Sequence, residues 1–226
     1  MSAVNLLAFE TSSEAGSVAL RTGEAIEERR IESPRRQAEQ LLPLVQELLA
    51  AANLRLADLH GIAFGRGPGS FTGLRVAAAA AQGLGLASGL PLLPVSSLAA
   101  VAQGLWRSRG ATGALVCVDA RMGEVFWAGF EMHDGLARPM GEERLTAPAA
   151  VSAAGLENWT AAGSGFAAYE TVLAPLVSGA RSVCAGARPR ARDLFPRAAD
   201  DLAARRVCGP EAAMPVYLRS EAAWET

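Results

Sequence analysis

The chain is poor in the residues that build metal and disulfide sites. It has three cysteines, Cys117, Cys184 and Cys208, and two histidines, His60 and His133, in 226 residues. Three scattered cysteines supply neither a disulfide framework nor a zinc site, so they are expected to be reduced and mostly buried. Neither histidine has a second histidine or a carboxylate at helical ligand spacing, and no metal is expected. Charged residues make up only 19% of the chain and the net charge is -2. That balance disfavours a protein that holds RNA by itself through phosphate contacts. The N-terminus lacks a basic n-region and a cleavage site, so no secretory leader is expected.

Apolar residues are abundant instead, at 50% of the sequence, enough to core one large domain or two small ones. Their arrangement repeats. Leu6 to Phe9 is an apolar run ending at Glu10, followed by a polar turn and the alternating strand Ser17 to Leu20. Ala114 to Val118 is a second such run, ending at Asp119, with the turn Ala120-Arg121-Met122-Gly123 and a returning strand from Glu124 to Phe130. The duplication predicts an α/β protein of two related lobes, each opening with a β-hairpin. The expected division is 1–104 and 105–226, with the C-terminal helix a candidate to pack back on the first lobe. Ligands of α/β sheets sit beyond the carboxyl ends of strands, which makes Glu10 and Asp119 candidate cleft carboxylates.

Two helical segments follow the first hairpin. Ala38, Leu41, Leu42, Val45, Leu48, Leu49 and Ala52 recur at three- and four-residue spacing, an apolar stripe interrupted by Pro43. From about Thr72 to Ala87, residues Gly73, Ala77, Ala81 and Gly85 form a strip of small side chains that allows close approach of another element. These surfaces, with Leu41, Val45, Leu48, Gly73, Ala77 and Ala81 at their centre, are the candidate partner interface; packing on the sheet is the alternative. The uncharged stretch Val76 to Val95 is as long as a membrane span but is built mainly from Ala and Gly, so it is expected to be a buried helix followed by a strand. No contact with a membrane is expected.

Between the strand Ile62 to Phe64 and that helix runs Gly65-Arg66-Gly67-Pro68-Gly69-Ser70-Phe71-Thr72-Gly73-Leu74-Arg75. Glycines permit close backbone approach to a ligand, and Ser70 or Thr72 can cap a helix whose free N–H groups favour anions. Gly67, Gly69, Ser70 and Thr72 are therefore a candidate phosphate loop. The loop is neither a Walker A motif nor a Rossmann fingerprint. A tight strand-to-helix connection explains it equally well. Ser70 has no evident general base, so no nucleophile is assigned.

That loop, with Leu6-Leu7-Ala8-Phe9-Glu10-Thr11-Ser12, the segment Asp119 to Ala128 and the tail Pro215-Val216-Tyr217-Leu218-Arg219, resembles the TsaB (YeaZ) family. The resemblance spans residues 5 to 219 and is weakest between about 134 and 210, where Gly163-Ser164-Gly165 is the main landmark. It implies the duplicated actin-like ATPase (ASKHA) fold. It also implies a non-catalytic, cytoplasmic subunit that binds the related catalytic protein TsaD, works with the ATPase TsaE, and helps transfer a threonylcarbamoyl group to the tRNA adenosine beside the anticodon. A homodimer is expected when the chain is alone, and tRNA contact only within the complex. No cofactor is expected of the chain itself, with ATP or ADP at the interface with TsaD left open. TsaD-type proteins carry two metal-binding histidines in a helix of the N-terminal lobe, and the aligned segment Arg35 to Leu41 has none. The family's first strand usually ends in Asp-Thr-Ser, whereas here Glu10 stands in place of the Asp. A carboxylate one methylene longer would displace a held group by about 1 Å, which in an enzyme can cost on the order of 10²-fold. The alternative reading is an enzyme of the same fold, a small-molecule kinase or a peptidase-like hydrolase.

Overall fold

The computed structural model describes residues 4–219, the side chain of Pro34 excepted. They form two compact units, one of the residues up to Ala100 with Pro189–Pro215, the other of Val101–Arg188 with the residues from Val216 onward.

In the first unit, β1 (Asn5–Glu10), β2 (Gly16–Thr22) and β3 (Ala25–Ile31) form an antiparallel meander. After α1 (Gln37–Ala51), the strand β4 (Gly61–Gly67) joins parallel to β1. After α2 (Phe71–Ser88), β5 (Leu92–Ser96) joins parallel to β4 and leads into α3 (Ser97–Arg109). The sheet order is β3-β2-β1-β4-β5. Both faces are covered, which explains why β1 reads as a continuous apolar run. Leu7 and Phe9 meet Leu41, Val45 and Leu48 of α1 and Ala77, Ala78 and Ala81 of α2. Their neighbours Leu6 and Ala8 point the other way, onto Ala191, Leu194 and Phe195.

The second unit repeats the plan. It contains β6 (Gly113–Arg121), β7 (Glu124–His133), β8 (Leu136–Pro139), β9 (Arg144–Thr146), β10 (Trp159–Ala162), α4 (Gly165–Ala168), α5 (Glu170–Val177) and β11 (Ser182–Cys184). Its path β8-β7-β6-β10-β11 has the order of the first sheet, with an antiparallel meander on one side and parallel strands on the other. Among the described residues, β9, paired with β7, is additional. One strand order used twice with the same directions is the duplicated actin-like fold.

Pro189–Pro215 belongs to the first unit, because Ala191, Leu194, Phe195 and Ala198 bury against the second face of its sheet. Pro43 lies well inside α1. There it is exposed, and it costs the helix the hydrogen bond to the Glu39 carbonyl. Two arginines of the basic run Arg188 to Arg192 are tied to Glu28. Arg190 is ion-paired with Glu28, and the Arg192 N–H donates to the same carboxylate at 3.2 Å. No helix among the described residues is long and apolar enough to cross a membrane.

Candidate functional site

The glycine-rich loop closes on the chain's own backbone. A Cβ on Gly65 would overlap the Glu10 carboxylate and lie 2.6 Å from its Cδ. On Gly69 it would lie 2.5 Å from the Ser12 carbonyl oxygen, and on Gly73 it would overlap the Thr11 carbonyl. Three glycines thus admit the turn after β1 against the loop, and hydrogen bonds fasten the two together. Ser70 N–H donates to Ser12 O (2.8 Å), and the Thr11 hydroxyl donates to Gly73 O (2.7 Å). Gln37 Nε2 donates to Ser13 O from the first turn of α1 (2.9 Å). Ser70 is the N-cap of α2, its Oγ accepting from Gly73 N–H at 3.3 Å. Gly67, at φ 100, takes a backbone conformation that favours glycine and precedes a cis bond to Pro68. Of the candidate phosphate loop, Ser70 and Thr72 are exposed, Gly67 is buried and Gly69 half-buried.

Glu10 is fully buried. Its Oε1 accepts from Ser12 N–H (2.7 Å) and its Oε2 from the Ser97 hydroxyl at the start of α3 (2.9 Å). Burial raises its pKa above the ordinary carboxylate value, opposed by the bonds from Ser12 and Ser97. A raised folded-state pKa means the folded protein holds the proton more tightly than the unfolded chain. The contribution is therefore fully present below the unfolded value of 4.5 and is lost as pH rises through the folded value. Glutamine keeps the shape: its oxygen accepts from Ser12 N–H and its amide donates to Ser97 Oγ. Glu10→Gln is expected to keep the fold and to flatten this loss of stability with rising pH. Chemical denaturation across pH 4 to 8 checks it, and an unchanged slope would refute it.

Asp119 lies near the C-terminal end of β6 in the second unit, as Glu10 ends β1 in the first. Its Oδ1 accepts from Arg121 N–H (2.8 Å) and the Tyr169 hydroxyl (3.2 Å), and its Oδ2 pairs with the Arg121 guanidinium at 3.1 Å. Burial, then Asp119, pushes the Tyr169 hydroxyl pKa up. Gly163 and Gly165 close on Cys117 much as Gly65 closes on Glu10. Burial and Asp119 push the Cys117 thiol up to about 12, which leaves it neutral and unreactive at physiological pH. Each carboxylate is held by hydrogen bonds from its own unit. Ser97 and Tyr169 were not legible as partners of these carboxylates, since no local pattern marks a hydrogen bond made across tens of residues.

The candidate interface also needs correction. Leu41, Val45, Leu48, Ala77 and Ala81 are at most 3% exposed, and Gly73 is buried with them. They bind the sheet of their own unit, because α1 and α2 turn their regular apolar stripes inward. The opposite faces are open. Leu42 is 46% exposed on α1, and Phe71, Arg75, Ala79, Gly83 and Leu86 form an exposed stripe on α2, with Leu86 at 80%. Arg75 stacks over the Phe71 ring, 3.7 Å from its centroid.

These features define the class: a duplicated actin-like α/β protein whose glycine loop and strand-end carboxylates are tied to its own backbone. Residues 31–205 match the family model described as TsaD, tRNA N6-adenosine threonylcarbamoyltransferase. The chain is 36% identical to the tRNA threonylcarbamoyladenosine biosynthesis protein TsaB of Escherichia coli K12, over 98% of this chain and 97% of that one. It is 33% identical to the TsaB protein of Haemophilus influenzae, over 100% and 98%. Its structure is similar to YeaZ from Pseudomonas aeruginosa, with a TM-score of 0.87 and 37% identity over 95% of this chain and all of that one. The chain belongs to the TsaB (YeaZ) family.

Proposed function

We propose that this chain is a non-catalytic scaffold and activator in the synthesis of threonylcarbamoyladenosine on tRNA, working in the cytoplasm by binding TsaD. The observation that carries this reading is the likeness to TsaB proteins along essentially the whole of both chains. The geometry favours the scaffold role over an enzyme of the same fold. Glu10, Asp119 and Ser70, the residues an enzyme would need free, are held by Ser12 and Ser97, by Arg121 and Tyr169, and by Gly73. The partner face is proposed to be the open side of α1 and α2, centred on Leu42, Gly83 and Leu86, in place of the buried stripe. Exposed leucines beside glycine and alanine suit a helical partner that approaches closely.

The same face serves a homodimer when TsaD is absent. TsaE joins the pair, tRNA meets only the assembled complex, and the chain contributes no cofactor of its own. The test is threonylcarbamoylation of tRNA by TsaC, TsaD and TsaE with and without this protein. Product formation is expected to depend on it, while the protein alone hydrolyses no ATP. Full activity in its absence would sink the proposal, and ATP turnover by the chain alone, lost on Glu10→Gln, would favour the enzyme reading.

A further inference from the structure

The carboxyl group of Glu10 sits where a ligand would sit. It lies at the C-terminal ends of β1 and β4, the position at which open α/β sheets bind small molecules. Its donors include the backbone N–H of Ser12 and the hydroxyl of Ser97 in the first turn of a 13-residue helix. The space it fills exists because Gly65 has no side chain, since a Cβ there would overlap the carboxylate. A backbone donor, a hydroxyl donor and a glycine-lined hollow are the parts of a small carboxylate site. Here the carboxylate is covalently part of the chain. The neighbouring hollows at Gly69 and Gly73 are filled in the same way, by the backbone of Ser12 and Thr11.

We propose that Glu10 is a built-in ligand, so that the strand-end site of the first unit is a carboxylate-binding site permanently occupied by the protein itself. Glu10, Gly65 and Ser97 are then one interdependent set. Shortening Glu10 empties the site with its donors intact, and a free small carboxylate of matching size takes the vacated place. An occupied site also leaves no room for a phosphate group between β1 and β4. The inference is independent of the tRNA reading, because it concerns the isolated chain alone.

The experiment is thermal melting of the full chain and three variants, in sodium acetate against sodium chloride at equal ionic strength. Glu10→Ala is expected to melt on the order of 10 °C below the parent in chloride, as a buried cavity with unpaired donors should. Acetate is expected to recover roughly half of that loss in a concentration-dependent way, because it binds only the folded state. The parent and Glu10→Gln, whose sites stay filled, are expected to show no difference between the two salts. In the double variant Glu10→Ala/Gly65→Ala the new methyl group occupies the hollow. That variant should melt above Glu10→Ala in chloride and lose the acetate effect, a coupling that independent sites would not show. A parent that responds to acetate as strongly as Glu10→Ala overturns the proposal, as does a folded Glu10→Ala that ignores acetate. Should Glu10→Ala not fold, the double variant decides: folding recovered by the second substitution supports the occupied hollow, and failure to recover it rejects it.

Discussion

Gly73→Ala is expected to cost the first unit about 3 kcal/mol or more, the upper end for forcing one methyl group into a filled space. At roughly 2–4 °C per kcal/mol for a chain of this size, melting should fall by about 6 °C or more. The magnitude follows from what the methyl group would meet. It would overlap the Thr11 carbonyl oxygen and lie 2.9 Å from the carbonyl carbon, so the obstacle is backbone rather than a side chain free to swing aside. Relief requires the first turn of α2 to separate from the end of β1. That movement strains the 2.7 Å bond from the Thr11 hydroxyl to Gly73 O and the 2.8 Å bond from Ser70 N–H to Ser12 O. Gly83, ten residues on in the same helix, is the internal control. Nothing lies within 4 Å of a Cβ there, so Gly83→Ala should stabilise by up to about 1 kcal/mol through helix propensity alone. Opposite signs from the same substitution in one helix would establish that the glycines near its N-terminus serve close packing. Equal effects at the two positions would contradict that account.

Leu48→Glu and Leu86→Glu should separate the core of α1 from the partner face of α2. Leu48 is 1% exposed and packs in the cluster that contains Phe9, Ile62 and Phe64. A carboxylate there has no partner, so the substitution is expected to cost on the order of 4–5 kcal/mol and to yield little folded protein. Leu86 is 80% exposed, and Leu86→Glu should change stability by no more than about 0.5 kcal/mol. On the proposed face, however, it places a charge against an apolar partner. Self-association measured by sedimentation and binding to TsaD measured by titration should both weaken by tenfold or more, the equivalent of about 1.4 kcal/mol. A folded Leu86→Glu that associates like the parent would remove α2 from the interface. A soluble, cooperative Leu48→Glu would show that the inward stripe is not the core.

Much of the fold was legible in local patterns. The duplicated hairpins were readable because an apolar run closed by a carboxylate, a turn and a returning strand lie within about twenty-five residues of one another. The two helices were equally plain from the spacing of Leu41, Val45 and Leu48 and from the loop before Phe71. Which face each helix buries was less legible. Along α2, Gly73, Ala77 and Ala81 point inward while Ala79 and Gly83 point out. Side chains this small carry too little hydrophobic contrast for periodicity to choose between the two faces.

The sequence by itself determined the secondary structure, the internal repeat and the family resemblance, because each is written in residues close together along the chain. Tertiary structure alone decided what the unusual residues are for. Ser97 stands 87 positions from Glu10, and only the parallel pairing of β1, β4 and β5 brings it within hydrogen-bond reach of the carboxylate. The glycine loop presents the same residues whether it cradles a phosphate or admits a neighbouring backbone. The difference lies in what occupies the space beside each missing Cβ, and here the chain folds its own Glu10, Thr11 and Ser12 into it. Pro189–Pro215, distant in sequence, joins the first unit for the same reason: an open apolar sheet face is covered by whichever segment can reach it, and chain order does not encode that choice.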